Sequence, residues 1–210
     1  ADEELAAGFL ATEGIVSSRE DIEEISIGSG EDNSGLGLAP NIARVALREG
    51  VDIDFEQLSR HVFTSSSCGV CGKATLEALS VRGLKRIEED GFCITSDILR
   101  SLPGKLLELQ RTFAQTGGLH ATALVDPSGE IIDVAEDIGR HNAMDKLLGR
   151  RFLAGDWPLS KRLILVSGRA SFELVQKALL AGVPLLAAVG APSSLAVELA
   201  DNFGMTLAGF

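Results

Sequence analysis

The chain of 210 residues has only three cysteines and three histidines, a single tryptophan and no tyrosine. So few cysteines cannot form the disulfide framework of a small secreted domain, and they fit a reducing, cytoplasmic compartment better. Basic residues are scarce as well: 19 Lys and Arg against 30 Asp and Glu give a net charge of -11. Without a basic face the chain has no general affinity for nucleic-acid phosphates. Aromatic residues at 5% leave few platforms on which single-stranded bases could stack. Long apolar runs are also missing. The greasiest stretch, "ALLAGVPLLAAVGA", is interrupted by Gly182 and Pro184 and is too short to cross a bilayer. Nucleic acid and membrane are therefore not expected partners, although a local pocket can still hold one defined anion. No secretory signal is visible. The chain opens at Ala1 inside a predicted helix and stops at Phe210 at the end of a predicted strand, so both ends read as clipped.

What is present is a globular pattern, 45% hydrophobic. A helix over about 2–12 and a strand over about 22–27 precede a loop rich in Gly, Asn, Asp and Pro at 28–41. A strand in "IARVALR" follows. Residues 1–60 read as a small N-terminal α+β subdomain and 61–210 as the main α/β domain. In the main domain "HVFTSSS" is extended, "CGVCG" turns and "KATLEAL" is a short helix. "TSDILRSL" and "PGKLLELQRTFAQTGG" read as two helices, the second opened by Pro103 and closed by Gly117 and Gly118. "LHATALV" and "EIIDVAE" form a hairpin around "DPSG". Helices in 140–153, 170–182 and 193–204 then alternate with strands in 162–168, 183–190 and 205–210. Short apolar strands joined by amphipathic helices predict a mixed, largely parallel sheet sandwiched by helices, with its ligand crevice beyond the strands' carboxyl ends.

Two predicted strands end in glycine just before a helix starts, in "LVSGRAS" and "AVGAPSS". Helix N-termini present free N–H groups and a positive dipole end to anions. Gly168 and Gly190 would let a ligand approach the backbone, Ser167, Ser171, Ser193 and Ser194 can donate, and Arg169 adds a guanidinium fork. Each turn taken alone is better read as an ordinary capped helix start, and only their recurrence leaves the two readings balanced. "EDIGRHNAMDK" gathers Glu136, Asp137, Arg140, His141, Asn142, Asp145 and Lys146 at one helix entry. Such a set can bind a polar ligand or move protons, or it can be a cap with surface ion pairs. His120 in "TGGLHATAL" draws notice for the same reason as His141, since histidine is rare in this chain.

Cys68 and Cys71 stand in a C-x-x-C spacing within "FTSSSCGVCGK", and Cys93 is alone. A structural zinc site usually needs four ligands in two pairs, so this one would need His61 or a second subunit to complete it. Deaminase chemistry is excluded. His120 is followed by Ala121 and Thr122 rather than the H-x-E glutamate, and Ser67 rather than proline precedes Cys68. Glycines on both sides leave the thiols movable, and Lys73 with the following helix start favours a thiolate. On spacing alone, dithiol redox chemistry and sulfur transfer are equally served.

Taken together, "AAGFLATEGI", "SSSCGVCG", "TGGLHATAL", "EDIGRHNAMDKLLG", "SGRASFELVQKALLAGVP" and "APSSLAVELADNFGMTLAGF" resemble the formate dehydrogenase accessory sulfurtransferase family (FdhD/NarQ), in the family's motif order. The resemblance implies a cytidine-deaminase-like main domain without zinc chemistry, a homodimer and no structural metal. It implies a sulfurtransferase that takes sulfur from a cysteine desulfurase as a persulfide on Cys68, with Cys71 as its partner. The sulfur would pass to the molybdenum cofactor, bis-molybdopterin guanine dinucleotide, for use by formate dehydrogenase. GDP or GMP would stand in for part of that cofactor. Its expected binding residues are Gly118, His120, Arg140, His141, Asn142, Ser167, Gly168, Arg169, Gly190, Ser193 and Phe210. The alternative of another class is a non-catalytic cofactor-binding chaperone whose C-x-x-C is structural or binds zinc.

Overall fold

A computed structural model describes residues 1–29, 41–51, 53, 84, 86–87 and 92–210. The predicted elements over 61–83, including both cysteines of the C-x-x-C pair, lie outside the described residues, as does most of the predicted loop over 28–41.

Helix α1 (Asp2–Thr12) leads through a short 3-10 turn into the antiparallel pair β1 (Ile22–Ser29) and β2 (Asn41–Leu47). The main sheet is built from β3 (His120–Val125), β4 (Ile131–Asp137), β5 (Leu163–Arg169), β6 (Leu185–Gly190) and β7 (Thr206–Gly209). Its order is β4-β3-β5-β6-β7. Helices α2 (Ser96–Leu109) and α3 (Arg111–Thr116) precede it, and α4 (Arg140–Leu153), α5 (Phe172–Leu180) and α6 (Ser194–Phe203) connect its later strands.

The sheet is mixed, but less parallel than the alternation of helix and strand predicts. β5–β6 and β6–β7 are parallel, whereas β3 is antiparallel to both β4 and β5. The crossover through α4 does join strands that run the same way, as such a connection should. β3 lies between them, so two antiparallel ladders replace one parallel one.

Alternation along the strands sends side chains to two apolar layers, as period-two geometry requires. Leu163, Leu165, Leu185 and Ala187 join Leu102 and Leu106 of α2 on one face. Ile164, Val166, Leu186 and Ala188 join Met144, Leu147, Leu174, Val175 and Leu199 of α4, α5 and α6 on the other. Each fully buried Leu or Val on such a face is worth about 1.5–3 kcal/mol relative to exposure.

The α2 region corrects the sequence reading. Pro103 does not open a second helix but sits inside α2. Proline removes one backbone bond and strains the preceding turn. Leu102 and Leu106, at 0% and 1% exposure, flank it and hold the helix on the sheet. The chain breaks instead at Gln110. There α3 begins, and the Glu136 carboxylate of β4 accepts hydrogen bonds from the Thr112 and Phe113 amides at 2.9 and 2.8 Å.

Helix α1 lies on α4 at a crossing of two glycines. A Cβ on Gly8 would stand 1.8 Å from the Asp145 carbonyl oxygen, and one on Gly149 would stand 1.8 Å from that of Glu4. Backbone therefore touches backbone. Beside this crossing Lys177 Nζ of α5 donates to Thr12 Oγ1 at 2.8 Å and to Glu13 at 3.0 Å, and pairs with Asp145 Oδ1 at 2.9 Å. Thr12 also donates to Asp145 at 2.8 Å, so three helices share one buried polar knot. Burial pushes the Asp145 carboxyl up, against the opposing pull of Lys177. Among the described residues no helix is long and apolar enough to cross a membrane.

Candidate functional site

β4, β5, β6 and β7 run in one direction and β3 in the other. Their topology brings the ends of four strands and the start of β3 to the same rim. Helices α4, α5 and α6 all start there. This is the crevice position at which open α/β sheets hold ligands.

At the centre, β3 begins with His120, paired in register with Asp137 at the end of β4. The Ser167 hydroxyl of β5 accepts the Ala121 amide at 2.8 Å, which locks the start of β3 to the end of β5. Gly168 follows, and a Cβ there would lie 3.3 Å from His120 Nδ1. The imidazole thus rests close over the Gly168 backbone, where any larger residue would have to push it aside by a few tenths of an ångström. Arg169 ends β5 exposed, opposite Gly190 of β6. A side chain at Gly190 would meet Arg169 Cγ at 2.9 Å, so this glycine clears the arginine's path. Phe210 continues the rim past β7, half-exposed, its amide donating to Ala188 O at 3.1 Å. Gly118 is exposed just after the left-handed Gly117, which ends α3 at φ 65.

The three helix starts differ in what already satisfies them. Ser193 caps α6, its hydroxyl accepting the Ala196 amide at 3.2 Å. Ser171 at the start of α5 makes no such cap. Its hydroxyl lies 3.3 Å from His141 Nε2, and Glu173 lies 3.9 Å from the same nitrogen. That contact with His141, ahead of the opposing effect of burial, lowers the Glu173 carboxyl to about 2. Helix α4 starts at Gly139, also without a side-chain cap on its first turn of Arg140, His141 and Asn142. Arg140 Nε is buried and lacks a hydrogen-bond partner among the described residues. A buried unpaired donor of a charged group is costly, and a bound acceptor would relieve it.

The dense run "EDIGRHNAMDK" therefore splits. Glu136 caps α3, as described above. Asp137 forms an ion pair with Lys146 and accepts the Gly139 amide at 2.9 Å. Burial pushes its carboxyl up, but Lys146 and the Gly139 amide together outweigh that and hold it low. Asn142 leans on the same carboxylate at 3.3 Å. Asp145 points away into the knot with Lys177. Arg140, His141 and Asn142 remain at the rim with His120, Gly168, Arg169, Gly190 and Phe210. Ser167 and Ser193 stand at the rim as well, with their hydroxyls committed to backbone. Cys68 and Cys71 lie outside the described residues, and Cys93 is exposed.

Sequence reasoning missed Glu173. Its signal was present in "SGRASFE", where a serine at a helix start is followed two positions later by glutamate. The Thr122 hydroxyl, 1% exposed and without a partner among the described residues, was also missed, and nothing in its sequence setting marks it.

Comparison with known proteins sets these features in context. The FdhD/NarQ family model matches residues 1–210. A sulfur carrier protein FdhD of Streptomyces coelicolor is 49% identical over 207 residues, covering 98% of this chain and 73% of that protein. The FdhD sulfur carrier protein of Mycobacterium tuberculosis is 48% identical over 211 residues, covering 100% of this chain and 76% of its own length. The fold matches a crystal structure described as a formate dehydrogenase accessory protein from Desulfotalea psychrophila. Its TM-score is 0.66 at 23% identity, over 99% of this chain and 71% of that one. Matched along its whole length and nearly half identical to these relatives, the chain belongs to the FdhD/NarQ family.

Proposed function

We propose that this protein is a sulfur carrier for formate dehydrogenase maturation, moving sulfur from a cysteine desulfurase to the molybdenum cofactor, bis-molybdopterin guanine dinucleotide. The Cys68 thiolate attacks the outer sulfur of the donor's persulfide. The donor's S–S bond breaks, its cysteine leaves as a thiolate, and Cys68 carries the new persulfide. For delivery, Cys71 attacks the inner sulfur. A Cys68–Cys71 disulfide forms, the outer sulfur leaves at the sulfide level toward the cofactor, and an external dithiol restores both thiols.

The cofactor, as substrate, carries several phosphates. Residues at the rim fit such a group: Arg140 has a buried Nε without a partner among the described residues, Arg169 is exposed, and Gly168 and Gly190 keep the backbone approachable. The observation that carries the reading is the convergence of residues scattered from Gly118 to Phe210 onto one rim, in a chain whose FdhD relatives are named sulfur carrier proteins. The chain's own acidity then works against nonspecific polyanions while local dipoles favour one ligand.

Mass spectrometry after incubation with a desulfurase and cysteine tests the carrier step. A gain of about 32 Da is expected on the wild type and not on Cys68→Ala, since persulfidation adds one sulfur. A gain that persists unchanged in Cys68→Ala overturns the assignment of that residue.

A further inference from the structure

Glu173 joins two of the helix starts at the rim. It is the second residue of α5, and its carboxylate lies 3.9 Å from Nε2 of His141 in the first turn of α4. Ser171, whose hydroxyl would ordinarily cap α5, instead lies 3.3 Å from the same imidazole nitrogen. The negative end needed at the start of α5 is supplied by Glu173. Other carboxylates bordering this helix start have partners of their own: Asp137 is paired with Lys146, and Asp145 with Lys177. Among the described residues Glu173 is thus the carboxylate that stands within 4 Å of His141, beside the closer Ser171 hydroxyl.

We propose that Glu173 is a positioning residue of the rim site: its carboxylate holds the His141 imidazole between the first turns of α4 and α5, so that both helix starts meet a phosphate-bearing ligand in one fixed arrangement. This rests on the reading above that the rim binds the phosphate-bearing cofactor. Free in solution, an imidazole on an exposed first turn would sample several rotamers, and fixing it removes that entropy cost from binding.

The experiment titrates GDP, as the probe, into the wild type, Glu173→Ala, Glu173→Gln and Glu173→Asp. Proton–nitrogen correlation spectra of the imidazoles are recorded on each, and thermal melts confirm folding. Affinity should fall about fivefold in Glu173→Ala and less in Glu173→Gln, and Glu173→Asp should recover part of it, as for a half-exposed charged contact. The His141 ring signals should move in Glu173→Ala and Glu173→Gln while the other two imidazoles stay unchanged. Wild-type affinity in Glu173→Ala, or unmoved His141 signals, overturns the positioning role and leaves the cofactor reading intact. A wild type that takes no GDP overturns the cofactor reading, and this proposal with it, whatever the spectra show.

Discussion

A single methyl group at position 149 should pry α1 from α4. Gly149 is buried in the C-terminal half of α4, and a Cβ there would stand 1.8 Å from Glu4 O and 2.5 Å from Gly8 N. Both are backbone atoms, so neither can swing aside. Relief requires the helices to part by roughly 1.5 Å, given ordinary contact distances near 3.5 Å. Taken alone, alanine in place of a helical glycine stabilises by about 1 kcal/mol. Overpacking opposes this by about 1–3 kcal/mol. Parting the helices also draws Thr12 away from Asp145 and Lys177, to which it is bonded at 2.8 Å on each side. Leaving those buried partners unsatisfied costs about 1–3 kcal/mol more. The net expectation is a loss of about 3 kcal/mol, which lowers the melting midpoint of a chain this long by about 6–12 °C. Gly104→Ala is the control. It lies inside α2 with nothing within 4 Å of its Cβ, so the same exchange there should raise the midpoint by about 2–3 °C. Calorimetric melts of both variants in one buffer decide the matter. A Gly149→Ala midpoint at or above the wild type refutes the glycine crossing.

Two further expectations concern charge. Lys177→Met should cost about 3–5 kcal/mol in urea unfolding because it strands a buried carboxylate. Burial already raises the Asp145 carboxyl, so that loss should shrink as pH falls and the acid becomes neutral; a loss that grows on acidification contradicts the assignment. Glu173 is lowered from 4.5 to about 2 on folding, so its contribution is fully present above pH 4.5 and disappears as pH falls toward 2. Melting midpoints against pH should accordingly decline less steeply for Glu173→Gln across that window, and parallel curves would count against the His141 contact.

Much of the fold is legible in the amino-acid sequence, because its local signals agree with its packing. Helix α1, the β3–β4 hairpin and the later alternation all carry strong punctuation, and the strand-end glycines mark the rim where the helices start. What escapes the sequence depends on contacts between distant segments. Pro103 looks like a helix start until Leu102 and Leu106 are seen pinning α2 to the sheet. The break at Gln110 depends on Glu136, a residue of another element. Gly8 and Gly149 read locally as weak points in helices, and only their meeting shows that they permit a crossing. In the candidate site, proximity along the chain is a poor guide to proximity in space. Seven polar residues within 136–146 look like one constellation, yet the turn between β4 and α4 sends Glu136, Asp137 with Lys146, and Asp145 to three different partners.

The reversed direction of β3 has a consequence for how the hairpin can vary. His120 and Asp137 face each other at the open tips of its two legs, while its bend at Asp126–Glu130 lies at the far end of the sheet, fastened by Lys105 donating to Gly129 O at 3.0 Å. Variation is therefore limited at the bend as well: Gly129 turns at φ 83, and a Cβ there would meet Ile98 Cγ2 of α2 at 2.1 Å. Both ends of this short stretch of chain are thus fixed, the bend against α2 and the tips through the Ser167 bond to Ala121.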